Sequence, residues 1–561
     1  KQGNLAVAQQ FYQAVLQHQP LHPIATKGLR KLQKQLSRHQ SLPIQTVINP
    51  SPDRLNALLN LYHSGQMTQA EQACRQLLPT YPQSLTVLNV LGAVLAGQGQ
   101  LQQAVQVFDQ VILLKPDLAE VYNDRGVALK KLGQLEAALD SYDRAIQLKP
   151  DYAEACYNRG VVLTELGQLE AALDSYDRAI QLKPDLAEVY INRGNALRDL
   201  GQLEKALTSY DRAIQIQPDD AQAYSNRGAV LTELGQLEEA VDSYDRAIQI
   251  QPDDAQAYSN RGVALTELGQ LEAAMNSYNR AIELKPDDAH AYSNRGNALR
   301  DLGRLGAAVA NHQRAASIDP QNGLFWASFA ECLQAVKFTS CSDDLVHDLL
   351  RMLEQSTVCP HDVSYAVISA LRYYPKFLRV LELFKSSHVD EDIDHLTMQL
   401  STIPLLLRVM ELSPIADLDV ERMFLQMRTS MLNKVTSGGG GARGLPFYVA
   451  LALHCFTNEY VFSESEEETQ KIGLLQVEVK ITLERGGVVS PTRIAVLGAY
   501  RPLSSFPWAD DLLRFEWSGD IKKIIIAQVN NVREEQALLS KIPRLTAIED
   551  KVSQAVRNQY E

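Results

Sequence analysis

AEVYNDRGVALKKLGQLEAALDSYDRAIQLKPDY, residues 119–152, carries two apolar stripes at helical spacing on either side of a turn at Gly133-Gln134. Apolar residues recurring every three to four positions mark one face of a helix, so the segment reads as helix, turn, helix. Gly126 and Ala138 are small where the two helices must approach. Tyr122, Leu129 and Tyr142 supply bulk around that contact. Pro150 stops the second helix, because it has no N–H to donate and its ring clashes with the turn before it. The same offsets return along the chain: Pro82, Pro116, Pro150, Pro184, Pro218, Pro252, Pro286 and Pro320 stand 34 residues apart. A period of this length marks stacked supersecondary units, each burying its apolar face on its neighbours and together presenting an extended concave surface. The expected fold is all-α. Asp117 with Glu120, Asp151 with Glu154 and Asp185 with Glu188 have the spacing of a capping box and are expected to open the following first helices.

These offsets resemble those of the tetratricopeptide repeat. Counting back from the prolines gives eight repeats over residues 51–322, the first of them least typical, with Arg54 and Leu58 where an aromatic residue and a glycine are usual. The resemblance implies a right-handed superhelical solenoid whose first helices line the inner surface. Residues 1–50 read as a partial repeat and linker: Gly3, Leu5, Ala8, Tyr12, Val15 and Pro20 repeat the second-helix pattern, and 40–52 look like a tether. Residue 1 is not Met, so the sequence is expected to begin inside a longer protein. Residues 323–336 are expected to form a capping helix and 337–561 a compact helical domain. In that domain the spacing predicts helices near 343–355, 361–372, 374–387, 392–400, 402–412, 418–434, 491–500 and 519–541. Two more fall within 447–484, broken near Ser463, and 437–444 is a glycine-rich loop.

Composition narrows the partners. The chain has 561 residues and a net charge of −13, which argues against a general nucleic-acid binder, since that would carry a basic face. Its six cysteines lack any CxxC spacing, so a reducing, cytoplasmic setting without a disulfide framework is expected. The sequence contains no apolar run long enough to span a membrane. The terminal units of such a stack expose apolar faces unless capped, which leaves self-association open.

Two places before the packing glycine the repeats read Asp124, Asn158, Asn192, Asn226, Asn260 and Asn294. In the resembled fold this position faces the groove. A carboxamide has two donors and an acceptor, so a row of them suits the N–H and C=O groups of an extended peptide. The row resembles the asparagine ladder of O-GlcNAc transferase, which implies substrate-peptide binding at Asn158, Asn192, Asn226, Asn260 and Asn294; Asp124 departs from it and lacks the donors. The alternative is that these side chains stabilise the helix pair. Further along the same helices, Glu165, Asp199, Glu233, Glu267 and Asp301 form an acidic stripe, read either as a preference for basic or amphipathic peptides or as ordinary solvated surface. Lys130-Lys131 reverses its sign in one repeat. Arg125, Arg159, Arg193, Arg227, Arg261 and Arg295, with Asp143, Asp177, Asp211 and Asp245, read as an ion-pair ladder between helices; a phosphate-binding track is the alternative.

Catalytic and metal-binding patterns are absent from the sequence. Cys359-Pro-His361 and His454-Cys455 lack zinc spacing, the 438–441 glycines lack the flanks of a phosphate loop, and no GxSxG elbow occurs. No catalytic, metal or cofactor residue is assigned, and the chain is expected to have no turnover of its own. Residues 452–462 (ALHCFTNEYVF) and 542–561 resemble the segment that precedes the catalytic domain of bacterial tetratricopeptide-repeat methyltransferases. That resemblance implies a following class I domain using S-adenosylmethionine, whose fingerprint does not occur in these residues. By itself the 452–462 motif reads as an aromatic hinge suited to packing. The expected function is recruitment of extended polypeptides. The alternatives are a scaffold for a multiprotein complex, or the repeat half of a glycosyltransferase.

Overall fold

The computed structural model describes residues 49–386, 389–439, 442–517 and 519–539. The half repeat at residues 3–20 and the motif at 542–561 lie outside them. Every regular element among the described residues is helical. The chain divides into two compact units, 1–236 and 237–561, described separately below. The repeats are numbered 1 to 8 from residue 51.

In the first unit the helices pair as the period predicts. Pro52–His63 and Met67–Leu77 form repeat 1, Ala119–Lys131 and Leu135–Leu148 repeat 3, and Ala187–Asp199 and Leu203–Ile216 repeat 5. The turns are made by glycines in the left-handed region, Gly133 at φ 73° and Gly201 at φ 70°, a conformation that costs other residues a steric penalty. Ala138, Tyr142 and Ala145 are fully buried, as are Ala172, Tyr176 and Ala179. The second helix flattens its tyrosine ring onto the glycine of the first. A Cβ built on Gly126 would lie 2.6 Å from Tyr142, and one on Gly194 2.6 Å from Tyr210. The residue before each proline leaves the helix: Lys149 has φ −138° and ψ 86°, because proline disfavours the helical conformation of its predecessor.

The helix starts differ from the expected capping boxes. The N-cap positions before 119, 153 and 187 are Leu118, Tyr152 and Leu186, none making a side-chain cap. Asp117, Asp151 and Asp185 sit one residue too early. Later repeats place an aspartate at the cap itself: Asp220 accepts from Ala223 N–H at 3.0 Å, and Asp254 and Asp288 cap likewise.

In the second unit repeat 8 shares its core with the helices that follow it. Gly323–Leu333 packs Trp326 and Phe329 against repeat 8, and Trp326 Nε1 donates to the carbonyl of Pro320 at 3.0 Å. One hydrophobic cluster then extends from Ala289 to Val529. Its helices include Asp343–Leu353, Pro360–Leu371, Leu418–Thr436, Leu445–Thr457, Glu466–Glu484 and Pro491–Tyr500, close to the expected bounds. Short 3-10 turns at Leu503–Ser505 and Ala509–Arg514 were not expected. The final helical stretch holds a π segment, Ile526–Asn530, between Gly519–Ile525 and Asn531–Leu539. Within it the buried Gln528 donates to the carbonyls of Ala452 and Gly498, each at 3.0 Å, and accepts from Leu503 N–H at 3.2 Å.

Candidate functional site

The repeated asparagines occupy one register on the first helices, and all five are half-buried. Their amides are partly spent within the protein. Asn158 donates to Asn123 at 3.0 Å, Asn192 to the hydroxyl of Tyr157 at 2.8 Å and Asn226 to Asn195 at 2.9 Å. Each of these bonds reaches back to the first helix of the preceding repeat. Gln222 donates to Asn226 at 2.7 Å and Gln256 to Asn260 at 2.8 Å, one turn along the same helix. A carboxamide offers two donor hydrogens and one acceptor oxygen. Asn158 and Asn192 therefore keep one N–H and the carbonyl oxygen for a guest, whereas Asn226 has its oxygen engaged as well. The inter-repeat partners Asn123, Tyr157 and Asn195 were not singled out from the sequence, because the repeats do not hold these residue types in common: Ile191, Ser225, Ser259 and Ser293 follow at the position of Asn123 and Tyr157, and valine or alanine stands at that of Asn195 in most repeats.

Asp124 is exposed, and Asn123 beside it is buried and donates to Glu154 of the next repeat at 3.3 Å. The surrounding protein and the like charges of Glu154 and Glu120 push the Asp124 carboxyl up to about 6, against a weaker pull from Asn123. Glu120 is offset by Lys149 at 3.0 Å.

Glu165, Asp199, Glu233, Glu267 and Asp301 are exposed and are the last residues of their helices. Negative charge at a helix C-terminus opposes the dipole, at about 0.3–1 kcal/mol each. Three of them have cations nearby: Lys130 at 3.2 Å from Glu165, Arg198 at 2.5 Å from Glu233, and Arg300 at 3.8 Å from Asp301. The first two pairs join neighbouring repeats.

The arginines are structural. Arg159 Nε meets Asp143 of the preceding repeat at 2.6 Å, and its Nη1 donates to Ser175 of its own repeat at 2.6 Å. Arg125 does the same with Asp109 and Ser141, and Arg193 with Asp177 and Ser209. In the second unit Arg261 binds Asp245 and Ser277, and Arg295 binds Asn279 and Asn311. Of the five N–H donors of each guanidinium, Nε–H and one on Nη1 are thus committed to neighbouring helices, which makes the row an inter-helix ladder as the sequence led one to expect.

The 452–462 motif is a packing element. Asn458 ends the helix, Glu459 and Tyr460 adopt φ of 50° and 56°, and Tyr460 donates to the carbonyl of Gly498 at 3.0 Å. His454 is fully buried against Phe424. Arg428, 1% exposed, donates to the carbonyl of Ser463 at 2.7 Å and lies 4.1 Å from the Tyr500 ring centre. Among the described residues no cluster of potential metal ligands occurs, and no helix is long and apolar enough to cross a membrane. A cavity of about 250 Å³ between Lys337, Ser364, Arg372 and Asp417 has its guanidinium committed to Asp417.

Sequence profiles described as TPR repeat match residues 92–133, 128–167, 162–197, 194–235, 228–269 and 262–303, and one described as Tetratricopeptide repeat matches 289–322. No curated protein matches the chain. Among solved structures, YrrB, entitled a TPR protein with an unusual peptide-binding site, is 27% identical, with a TM-score of 0.30, over 33% of this chain and 95% of its own. MamA is 24% identical, with a TM-score of 0.28, over 29% of this chain and 96% of its own. A tetratricopeptide repeat protein from Parabacteroides merdae is 19% identical, with a TM-score of 0.36, over 44% of this chain and 98% of its own. With the helix pairs, the glycine turns and the ring-on-glycine contacts in place, residues 92–322 are tandem tetratricopeptide repeats.

Proposed function

We propose that the repeats bind segments of other polypeptides in extended form on their first helices, through Asn158, Asn192 and Asn226 in the first unit and through Asn260 and Asn294 in the second. The observation that carries this reading is the set of half-buried carboxamides in one register, with hydrogen-bonding capacity left over at Asn158 and Asn192. Each main-chain contact nets about 0.5–1.5 kcal/mol, and a fixed row sums them for a single loss of translational freedom. The carboxylates at 165, 199, 233, 267 and 301 line the same helices against the dipole preference, which favours cationic guests. The test is Asn192→Ala, Asn226→Ala and Asn260→Ala combined, with affinity measured by calorimetry for a partner first captured on the intact repeats. Affinity should fall at least tenfold with the helical circular-dichroism signal retained. Unchanged affinity removes the reading.

A scaffold role through other surfaces is favoured by one observation: Leu474, Val477 and Ile481 form an exposed apolar stripe on Glu466–Glu484, with Leu474 72% exposed. The finer reading, recruitment of a substrate for a methyltransferase using S-adenosylmethionine, rests on the sequence likeness of 452–462 and 542–561. Reading the gene past the codon for Glu561 tests it; a continuation without a Rossmann strand and GxG turn would remove it.

A further inference from the structure

The final helical stretch, residues 519–539, starts in the core of the second unit and runs out of it. Ile521, Ile524, Ile525 and Val529 are buried, whereas every side chain from Glu534 to Leu538 is exposed. Arg533 Nε donates to Asp510 at 3.1 Å and ties the stretch to the 3-10 turn Ala509–Arg514. Between turn and stretch lies a groove of about 440 Å³, lined by Leu513, Phe515, Trp517 and Ile526 and by Lys522. Trp517 is held there by its indole N–H, which donates to the carbonyl of Leu512 at 2.7 Å. Leu513 and Ile526 are exposed on this groove, and Leu538 is 61% exposed further along. The π segment Ile526–Asn530 aligns them. A π turn takes up one residue more than an α turn. Leu538, twelve residues after Ile526, therefore falls close to the line that an uninterrupted helix would reach after eleven residues, three turns on.

The sequence that follows has the matching face. Pro543 ends a helix at the residue before it and suits the first turn of a new one. Beyond it Leu545, Ile548, Val552 and Val556 stand at i, i+3, i+7 and i+11, one apolar face at helical spacing. These residues lie outside the described ones. Two helices joined by a break of two to five residues pack antiparallel as a hairpin. At 1.5 Å per residue, Leu545 to Val556 spans about 17 Å and Ile526 to Leu538 about 18 Å, so the two apolar lines agree in length. With Leu545 against Leu538, Val556 arrives at Ile526 and Glu561 comes level with Lys522. Lys523 is spent on Glu411 at 2.7 Å, whereas Lys522 has no ion pair among the described residues.

We infer that residues 543–561 fold back as a helix antiparallel to residues 519–539, seating their apolar face on Leu538, Ile526 and the groove beside Leu513. The segment is then a docking element of the second unit, and its seat does not depend on what the repeats bind.

The test is hydrogen exchange of the intact chain, read by mass spectrometry at residues 545–556. Their amides should exchange at least tenfold more slowly than in a synthetic peptide of residues 540–561. Leu513→Asp with Leu538→Asp, both at exposed positions, should abolish that protection with the helical circular-dichroism signal retained. The reciprocal variant, Leu545→Asp with Val552→Asp, leaves the described core untouched and should speed exchange at residues 510–517 a few-fold. Exchange at 545–556 as fast as in the peptide overturns the docking, as does protection that survives Leu513→Asp with Leu538→Asp. Unchanged exchange at 510–517 in the reciprocal variant does so too. Protection that grows with protein concentration assigns the groove to a second copy of the chain and overturns the hairpin. Protection lost instead through Leu474→Asp with Val477→Asp moves the segment to the other exposed stripe, with the same consequence.

Discussion

At the residue scale the repeats are governed by one contact, the tyrosine ring lying on a glycine. Gly194→Ala gains about 1 kcal/mol of helix propensity but sets a methyl 2.6 Å from Tyr210, and overpacking of this kind costs about 1–3 kcal/mol. Overpacking should win, with hydrogen exchange in repeat 5 faster by up to tenfold. Repeat 8 carries His312 at the ring position, fully buried, with both nitrogens unpartnered. Burial, and then the nearby Arg300, lower its pKa from 6.5 to about 4. Below the unfolded value the unfolded chain takes up a proton that the folded chain refuses. The stability His312 contributes is therefore present above pH 6.5 and is lost as the pH falls towards about 4. His454, lowered to about 4 by its burial, adds to the same trend. His312→Tyr should lessen the acid sensitivity of the second unit and raise its stability by about 0.5–1.5 kcal/mol at neutral pH, because Asn297 stands where Asn195 serves Tyr210. Urea melts across pH 4–7 check both effects.

At the element scale, helix starts separate two generations of repeat. Where an aspartate stands at the N-cap, as at 254, its carboxylate takes the N–H groups of Gln256 and Ala257 at 2.9 and 3.1 Å. Asp254→Ala should cost about 1 kcal/mol. Asp117→Ala should be nearly neutral, because the cap of the following helix is Leu118. Urea unfolding of the two variants distinguishes them, and equal losses would contradict the observed caps. The capping-box spacing misled here because it fixes the distance between two side chains and not the residue at which helical φ and ψ begin. The true box lies at Ser465–Glu468, where Glu468 also accepts from Tyr500 and Thr429, each at 2.7 Å.

At the scale of the whole molecule, each repeat leans on its neighbours through repeated arginines, from Arg125 with Asp109 to Arg227 with Asp211 in the first unit. A single partly exposed pair contributes about 0–1 kcal/mol, but Arg125, Arg159 and Arg193 also satisfy a serine hydroxyl, and stability in a stack is a sum of neighbour terms. Asp177→Ala should therefore speed hydrogen exchange across the junction of repeats 4 and 5 and leave repeats 1 and 2 unchanged. Uniform acceleration along the chain would mean that the stack unfolds as one cooperative block.

The period, the helix pairs, the glycine turns and the ring-on-glycine packing were legible in the amino-acid order, because these contacts are short-range and recur at one interval. The register of the asparagines and the pairing of the arginines were legible for the same reason. Three features depended on packing between distant residues. One is the use of Asn158, Asn192 and Asn226 as links between repeats, which depends on unlike residues at 123, 157 and 195. Another is the continuous core from Ala289 to Val529, where Gln528 ties helices separated by long stretches of chain. The last is the orphan hydroxyl of Tyr142: Lys130 and Val127 stand where Thr164, Thr266 and Asn195 serve the sibling rings, but which positions face the hydroxyl is seen only once the helices are paired.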